Sequence, residues 1–336
     1  MENDADANRQ KAWSSYWASG VLSSCADSYQ GNYRGVIAEF WGSRFEGLCG
    51  GNRVLDIATG NGPLPKMLLQ RSPLEPPITI DAVDLADVAP DWLSLGQGSN
   101  VRFHPGTRME RLPFDDESFE LVVSQYGIEY GKWPEALIES LRVCRVEGSL
   151  AFVVHHADSV LVDVGRRELL NHGLLKDRCG LFESARAVIP WLGVVRRGEL
   201  DPGDRRSAEA SKAAYNRAMT EVQKEIDSSK VPDLLIEARH TIHQIVSTTV
   251  VGVDQSLDLL DRYSDSLGAA ALRTEEMTSH AFGRANIDSL ESCVADVRPG
   301  WRVTSAPIIQ GDNILGWRIV AGPAAAIDSL SIPPTA

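Results

Sequence analysis

Cysteine is sparse. The chain has five (Cys25, Cys49, Cys144, Cys179 and Cys293), far apart and odd in number. No two stand as C-x-x-C, which argues against a zinc ribbon and against a thioredoxin-type redox motif. Long apolar runs are also missing. Nothing approaches the roughly 18 consecutive apolar residues of a membrane span, and the opening MENDADANRQK is acidic and polar, with no apolar signal region. Positive charge is in deficit: 33 Lys and Arg stand against 46 Asp and Glu, a net charge of −13. Phosphate binding over a broad face needs clustered cations. The pairs Arg166–Arg167, Arg196–Arg197 and Arg205–Arg206 are short and local, and solvated helix ends explain them as well as an anionic partner does. No internal repeat is visible. The simplest expectation is a cytoplasmic, reduced protein with no nucleic-acid partner and no membrane span.

What is present is an ordinary globular composition, 43% hydrophobic and 24% charged, over 336 residues. Residues 1–50 are rich in aromatics, and Val36, Ile37, Phe40, Trp41 and Phe45 recur at helical spacing, which predicts a helix ending near Gly47 or Gly50. Trp13, Tyr16 and Trp17 stand in a polar stretch and are candidates for a lid over a ligand. Over 51–158, strands alternate with helices: RVLDIA (53–58), TIDAVDL (79–85), VRFHPG (101–106), FELVVSQYG (119–127) and SLAFVVHH (149–156) read as strands, PLPKMLLQRS (63–72) and WPEALIESLRVCR (133–145) as helices. Continuous apolar strands between helices predict a parallel sheet buried on both faces.

Residues 159–285 read as helices, with one stripe at Tyr215, Ala218, Val222 and Ile226, a second from Leu234 to Thr249, and a third at Leu257, Leu260 and Leu267 that stops near Gly268. Residues 286–323 return to the α/β pattern, with WRVTSAPII (301–309) and LGWRIVAG (315–322) forming a hairpin, and 324–336 read as a loose tail. Glu237, His240 and His243 share one helical face. A metal would need a second such helix, which is not visible, so a solvated polar face is the expectation.

The stretch VLDIATGNG (54–62) raises the question of function. In an open parallel sheet, ligands bind beyond the carboxyl ends of the strands. Asp56 lies near such an end, and Gly60 and Gly62 would let the turn approach a ligand closely. The pattern is not G-x-G-x-x-G, because Pro65 stands at the third glycine. The second strand ends in Val83–Asp84–Leu85, where an acid can accept the hydroxyls of a ribose. Two acids at adjacent strand ends, with glycines between, favour a nucleotide site over a plain turn.

Further along comes LPFDDESFELVVS (112–124), then EALIESLRVCRVEGSLAFV (135–153). Together with VLDIATGNG and VDL, these pieces resemble the class I S-adenosylmethionine-dependent methyltransferases, in particular the small-molecule branch similar to the ubiquinone/menaquinone C-methyltransferases. Order and spacing hold over about residues 51–156. The resemblance implies a Rossmann-like α/β sheet with an antiparallel C-terminal hairpin, here with a large helical insertion after strand five. It implies S-adenosyl-L-methionine as cofactor, held by Asp56, Ala58, Thr59, Gly60, Gly62, Asp84, Leu85, Met109, Glu110, Ser124 and Gln125. Ala58 departs from the family's first glycine. Glu147–Gly148 replaces a usual Pro-Gly-Gly, which touches only a turn. The loop before LPF lacks the usual adenine-binding Asp, so Met109 is expected on the adenine, and Glu110 or a backbone group on its amine.

Methyl transfer from a sulfonium rests mainly on placement. A base is needed only if the acceptor must lose a proton. His155 and His156, at the end of strand five, are the candidates for that base. Trp17, Tyr126, Glu129 and Tyr130 are the candidate acceptor-pocket residues. The expected function is methyl transfer to a small molecule at O, N or C, with the insertion as acceptor pocket, lid or homodimer face. The alternatives are protein methylation and a catalytically silent cofactor-binding module. Ser124–Gln125–Tyr126–Gly127 stands where an N-P-P-Y amide-nitrogen motif would be, which disfavours protein and DNA-adenine acceptors.

Overall fold

The computed structural model describes residues 2–24, 31–70, 74–94, 100–248 and 252–328. Cys25, Tyr29, Arg71, Ser72, Thr249 and residues 329–336 lie outside them, and Ala324–Asp328, expected as the start of a loose tail, form a short helix. The chain divides into two compact units, Met1–Asp163 with Glu276–Ala336, and Val164–Glu275.

The first unit is built on a seven-stranded sheet in the order β3-β2-β1-β4-β5-β7-β6. The strands are β1 (Arg53–Ile57), β2 (Thr79–Val83), β3 (Val101–His104), β4 (Phe119–Gln125), β5 (Cys144–Val154), β6 (Trp301–Gln310) and β7 (Asn313–Pro323). β1 to β5 run parallel, and β7 runs antiparallel to both β5 and β6. Strand order reverses between β1 and β4, so the crevice beyond their carboxyl ends is the place where this sheet accepts a ligand.

Side chains alternate across the strands, so each strand feeds two cores. Leu55, Ile57, Val122, Leu150 and Phe152 join one, with Leu137 and Leu141 from α5 (Glu135–Val143) and Leu290 and Val294 from α11 (Arg284–Val297). Val54, Val123, Ala151 and Val153 join the other, with Ile37, Phe40 and Trp41 from α2 (Gly35–Glu46) and Leu64 and Leu68 from α3 (Pro63–Leu69). Burial on both faces explains why these strands read as continuous apolar runs.

Several boundaries differ from those the pattern predicts. β4 stops at Gln125 because Tyr126 turns left-handed, with φ 52°. α5 stops at Val143 because Cys144 is already extended, and β5 therefore starts at Cys144. Glu147–Gly148 is not a free turn. It lies inside β5, in an irregularity between the pairs Phe119–Cys144 and Leu121–Ser149.

The second unit is helical. It takes in most of α6 (Val160–Gly173), then α7 (Leu181–Arg197), α8 (Arg205–Ser228), α9 (Asp233–Ser247) and most of α10 (Val253–His280). Tyr215, Ala218 and Val222 from α8 meet Leu235, Ala238, Ile242 and Val246 from α9 in one apolar cluster. α10 does not end near Gly268 but runs on to His280, since the Ala269–Leu272 stretch that follows is strongly helix-forming. Glu237 accepts the Tyr263 hydroxyl at 3.2 Å and His243 Nδ1 meets the Tyr215 hydroxyl at 3.3 Å. No group of three metal-ligating side chains gathers among the described residues. No helix among them is long and apolar enough to cross a membrane.

Trp41 is fully buried, and its Nε1–H donates to Gln125 Oε1 at 2.5 Å. Truncating it removes a large apolar contact and strands the Gln125 oxygen. Trp41→Ala is expected to lower the opening free energy of β4 amides in hydrogen exchange by about 3–5 kcal/mol. A change under about 1 kcal/mol would contradict this packing.

Candidate active site

The site forms where β1, β2 and β4 end. After Ile57 the backbone turns at Ala58, which holds φ 54°. That left-handed conformation is why a glycine is the more comfortable residue there. Thr59 N–H returns to Val83 O at 3.0 Å, and Gly62 caps α3 with φ 73°. The loop is thereby sewn to the end of β2.

Two buried acids lie under this loop with different surroundings. Asp56 Oδ2 accepts the Thr59 hydroxyl at 2.6 Å. Burial pushes the Asp56 carboxyl up to about 8, the Thr59 bond opposes the rise, and Asp84 adds to it. Asp84 accepts Gly60 N–H on Oδ2 and Ala86 N–H on Oδ1, each at 2.8 Å. Burial raises Asp84 to about 6, held down by those two amide bonds. At neutral pH, then, Asp56 is mostly protonated and Asp84 mostly ionised. Environment separates the pair into a neutral structural carboxyl and a charged acceptor.

Asp84, Leu85, Ala58, Met109, Glu110, Tyr126, Gly127 and Tyr130 line one cavity at these strand ends. Gly127 is needed for close approach: a Cβ there would lie 2.5 Å from Ala58 Cβ. Met109 packs its sulfur against Gly131, and Glu110 Oε1 accepts Lys132 N–H at 2.8 Å.

The cavity's remaining wall is α1 (Glu2–Trp17), which contributes Asp6, Arg9, Trp13 and Trp17. Arg9 pairs with Glu276 and donates to Tyr130 O at 3.2 Å. Trp13 Nε1–H donates to Glu276 at 3.0 Å, and Arg108 pairs with Asp6 at 2.7 Å. Trp17 is buried, and its indole stacks with Trp13 at 5.9 Å between centroids. Asn61 Nδ2 holds the helix end through Trp17 O and Val21 O at 2.9 and 2.8 Å. The open space expected over Gly60 is filled by this indole, since a Cβ on Gly60 would meet Trp17 Cζ2 at 2.5 Å. At Gly62 the corresponding space holds Trp92 and Phe103. Both glycines make room for the chain's own aromatics as well as for their positive φ.

Ser124 and Gln125 do not line the cavity. Ser124 Oγ donates to Ile57 O at 2.8 Å and accepts Ile128 N–H at 2.9 Å, tying β1 to β4. Gln125 faces the α2 core through Trp41. The two histidines lie just beyond β5, which ends at Val154 and not at His156 as the pattern predicts, and they pack on different partners. His156 stacks on Trp317 at 4.5 Å, and its Nδ1 accepts Asp158 N–H at 2.9 Å. His155 stacks on Tyr126 at 4.3 Å, and its Nδ1 meets Glu129 Oε1 at 2.7 Å. Glu129 is thus buried against His155 instead of open to the cavity.

Sequence reasoning missed Arg9, Asn61, Arg108 and Glu276. Asn61, between the two glycines, was a visible signal. Arg9 and Glu276 lie 267 positions apart and carry none.

Residues 54–148 match a family model described as a methyltransferase domain. No curated protein matches the chain. Among solved structures it resembles the YcgJ protein of Bacillus subtilis, at 26% identity over 40% of this chain and 58% of that one, TM-score 0.32. It also resembles an S-adenosylmethionine-dependent methyltransferase from Aquifex aeolicus, at 23% identity over 36% and 65%, TM-score 0.32. A third is the geranyl diphosphate C-methyltransferase of Streptomyces coelicolor, at 20% identity over 35% and 42%, TM-score 0.31. The chain therefore spans less than two thirds of the length of each. The domain match and the strand order agree on a Rossmann-like methyltransferase sheet, a domain class whose cofactor is S-adenosylmethionine.

Linkage gives Asp56 a signature in stability. Its native carboxyl keeps a proton that the unfolded chain, near 3.8, gives up. Stability is full below that value and falls as pH rises toward 8. Asp84 contributes the same sign between about 4 and 6. Asp56→Asn keeps the Thr59 bond and carries no charge, so urea titrations should lose the fall between pH 6 and 8. A variant with the wild-type slope in that window would contradict the assignment.

Proposed function

We propose that the protein transfers a methyl group from S-adenosylmethionine to a small-molecule acceptor. The observation that carries this reading is the buried Asp84 carboxyl just after β2, on a cavity that Ala58 and Gly127 also line. A carboxylate at that strand end accepts paired ribose hydroxyls. Met109 offers a flexible apolar face to a purine. Leu85 extends the same wall, and Glu110 stands beside it as an acceptor for an amine. The methyltransferase-domain match over 54–148 supports the chemistry, and LPFDDESFE supports the small-molecule branch resembling ubiquinone/menaquinone C-methyltransferases.

When bound, the cofactor supplies an electrophilic methyl on a positive sulfur. The chain's residues bind, orient and exclude water. Asp84 and the Gly60 amide fix each other, so the acceptor of the ribose is set before the ligand arrives. Trp13, Trp17 and Tyr130 close the aromatic side of the cavity, which keeps water from the reacting centre. The acidic surface and aromatic lining favour a compact, uncharged or cationic acceptor over a nucleic acid. The helical residues 159–285 are proposed as the element that selects the acceptor or joins two copies of the chain.

Asp84→Ala tests the reading. Loss of two charge-assisted bonds should weaken S-adenosylmethionine binding about 100-fold or more in calorimetry. Asp84→Asn, which keeps the shape, separates lost charge from a disturbed loop and should weaken binding less. Undiminished affinity in both variants would sink the ribose assignment.

A further inference from the structure

Asp84 offers a ribose its acceptor, but the ground beside it is taken. We propose that the Trp17 indole is a gate: it bars the cofactor's seat on Gly60 in this form, and it swings into a neighbouring cavity to admit S-adenosylmethionine. This rests on the cofactor reading above and adds to it the step by which the site opens.

The cavity at the strand ends has a free volume of about 80 Å³. Sites that enclose ligands of this size class run from roughly 300 Å³ upward. A nucleoside joined to an amino acid therefore enters only when a wall moves. The sheet-side wall is fixed by backbone. Asp84 is tied to the Gly60 and Ala86 amides, Thr59 N–H to Val83 O, and Ser124 joins Ile57 to Ile128. The indole fills the space instead. A Cβ on Gly60 would meet Trp17 Cζ2 at 2.5 Å and Cη2 at 2.6 Å. The same Gly60 gives its N–H to Asp84 Oδ2 at 2.8 Å. The ribose acceptor and the indole thus meet at one residue, and a ribose on Asp84 competes with the ring for that ground.

The Trp17 backbone is pinned while its ring is held by rings alone. Trp17 O accepts Asn61 Nδ2 at 2.9 Å and Gly20 N–H at 3.1 Å. The indole stacks on Trp13 at 5.9 Å and meets Tyr16 edge-on at 5.0 Å. Such contacts carry little directional constraint compared with a hydrogen bond. Its aromatic neighbours are anchored differently: Trp13 Nε1–H donates to Glu276 at 3.0 Å and Trp92 Nε1–H to Asn61 O at 2.7 Å. The side chain of Trp17 is accordingly the part that turns, between staggered rotamers.

A place for the displaced ring exists. Trp17 also borders a second cavity, of about 310 Å³, with Gly20, Asn61, Ala89 and Trp92. A Cβ built on Gly20 would find nothing within 4 Å, so that side of the second cavity is open. One indole divides two spaces, and turning it enlarges the smaller at the expense of the larger. A site open for only part of the time binds with its affinity lowered by that fraction, and the ligand enters no faster than the gate opens.

Stopped-flow mixing of the full chain with S-adenosylhomocysteine, followed by tryptophan fluorescence, reads the gate. Trp13 lines the cavity and reports in every variant. In the wild type the observed rate should rise with ligand concentration and level off at the opening rate. In Trp17→Ala it should stay linear, with association about tenfold faster or more. Trp17→Phe keeps a ring in the aromatic cluster but has no atoms at Cζ2 or Cη2. It should give an intermediate gain, and it serves where Trp17→Ala does not fold. Ala89→Trp, at an exposed position, fills the second cavity and should lower the plateau about tenfold. A wild-type rate that is linear and equal to that of the Trp17 variants would overturn the gate, as would Ala89→Trp kinetics matching the wild type. Failure of wild type and variants alike to bind S-adenosylhomocysteine would refute the cofactor reading itself, and the gate with it.

Discussion

Asp84 bonds both to the Gly60 amide and to the Ala86 amide, and the rest of the site depends on that bridge. One carboxylate sets the distance between the loop after β1 and the turn after β2. With that distance set, Ala58 meets Gly127, Ser124 locks β4 to Ile57, and the cavity acquires a fixed wall. The arrangement requires that Asp84 be ionised while buried. Two amide donors meet that requirement, whereas Asp56, with one hydroxyl partner, stays protonated. The same loop thus separates two identical side chains by about two pH units.

The N-terminal helix completes the enclosure from the opposite side. Its pattern is polar apart from its last turns, where Trp13, Tyr16 and Trp17 join Ala86 and Val88 in a small apolar cluster. Particular bonds hold it as well: Arg9 and Trp13 to Glu276, Asp6 to Arg108, and Asn61 to the turn after Trp17. The Trp17 indole on Gly60 links the two halves. The glycine that lets the loop turn also provides the flat surface on which the aromatic rests, so local backbone chemistry and closure of the cavity depend on one residue.

Much of the sheet was legible because its signals are local. Continuous apolar strands, the LPFDDESFE run and the C-terminal hairpin each announce themselves within a dozen residues. The glycine loop was legible as a site, and its acids were found. What each side chain does was harder to read. Ser124 and Gln125 were read as cofactor contacts from their place at a strand end, but alternation turns Gln125 into the α2 core, and Ser124 is saturated by backbone. His155 and His156 look equivalent in sequence, and only their packing, on Tyr126 and on Trp317, separates them. Glu129 reaches His155 across 26 positions, and no periodicity records such a pairing. Helix α10 passed Gly268 because neighbouring helix formers outweigh one glycine.

The central claim is that an ionised, buried Asp84 receives the ribose of S-adenosylmethionine. Isothermal calorimetry of the wild-type chain with S-adenosylmethionine, in buffers of different ionisation heat from pH 5 to 8, tests it most directly. Binding that needs the charged carboxylate must release a proton below its free-state value near 6, so affinity should fall by up to about tenfold per pH unit there and level off above pH 7. Affinity that is flat across the range, with no proton released, would contradict the account.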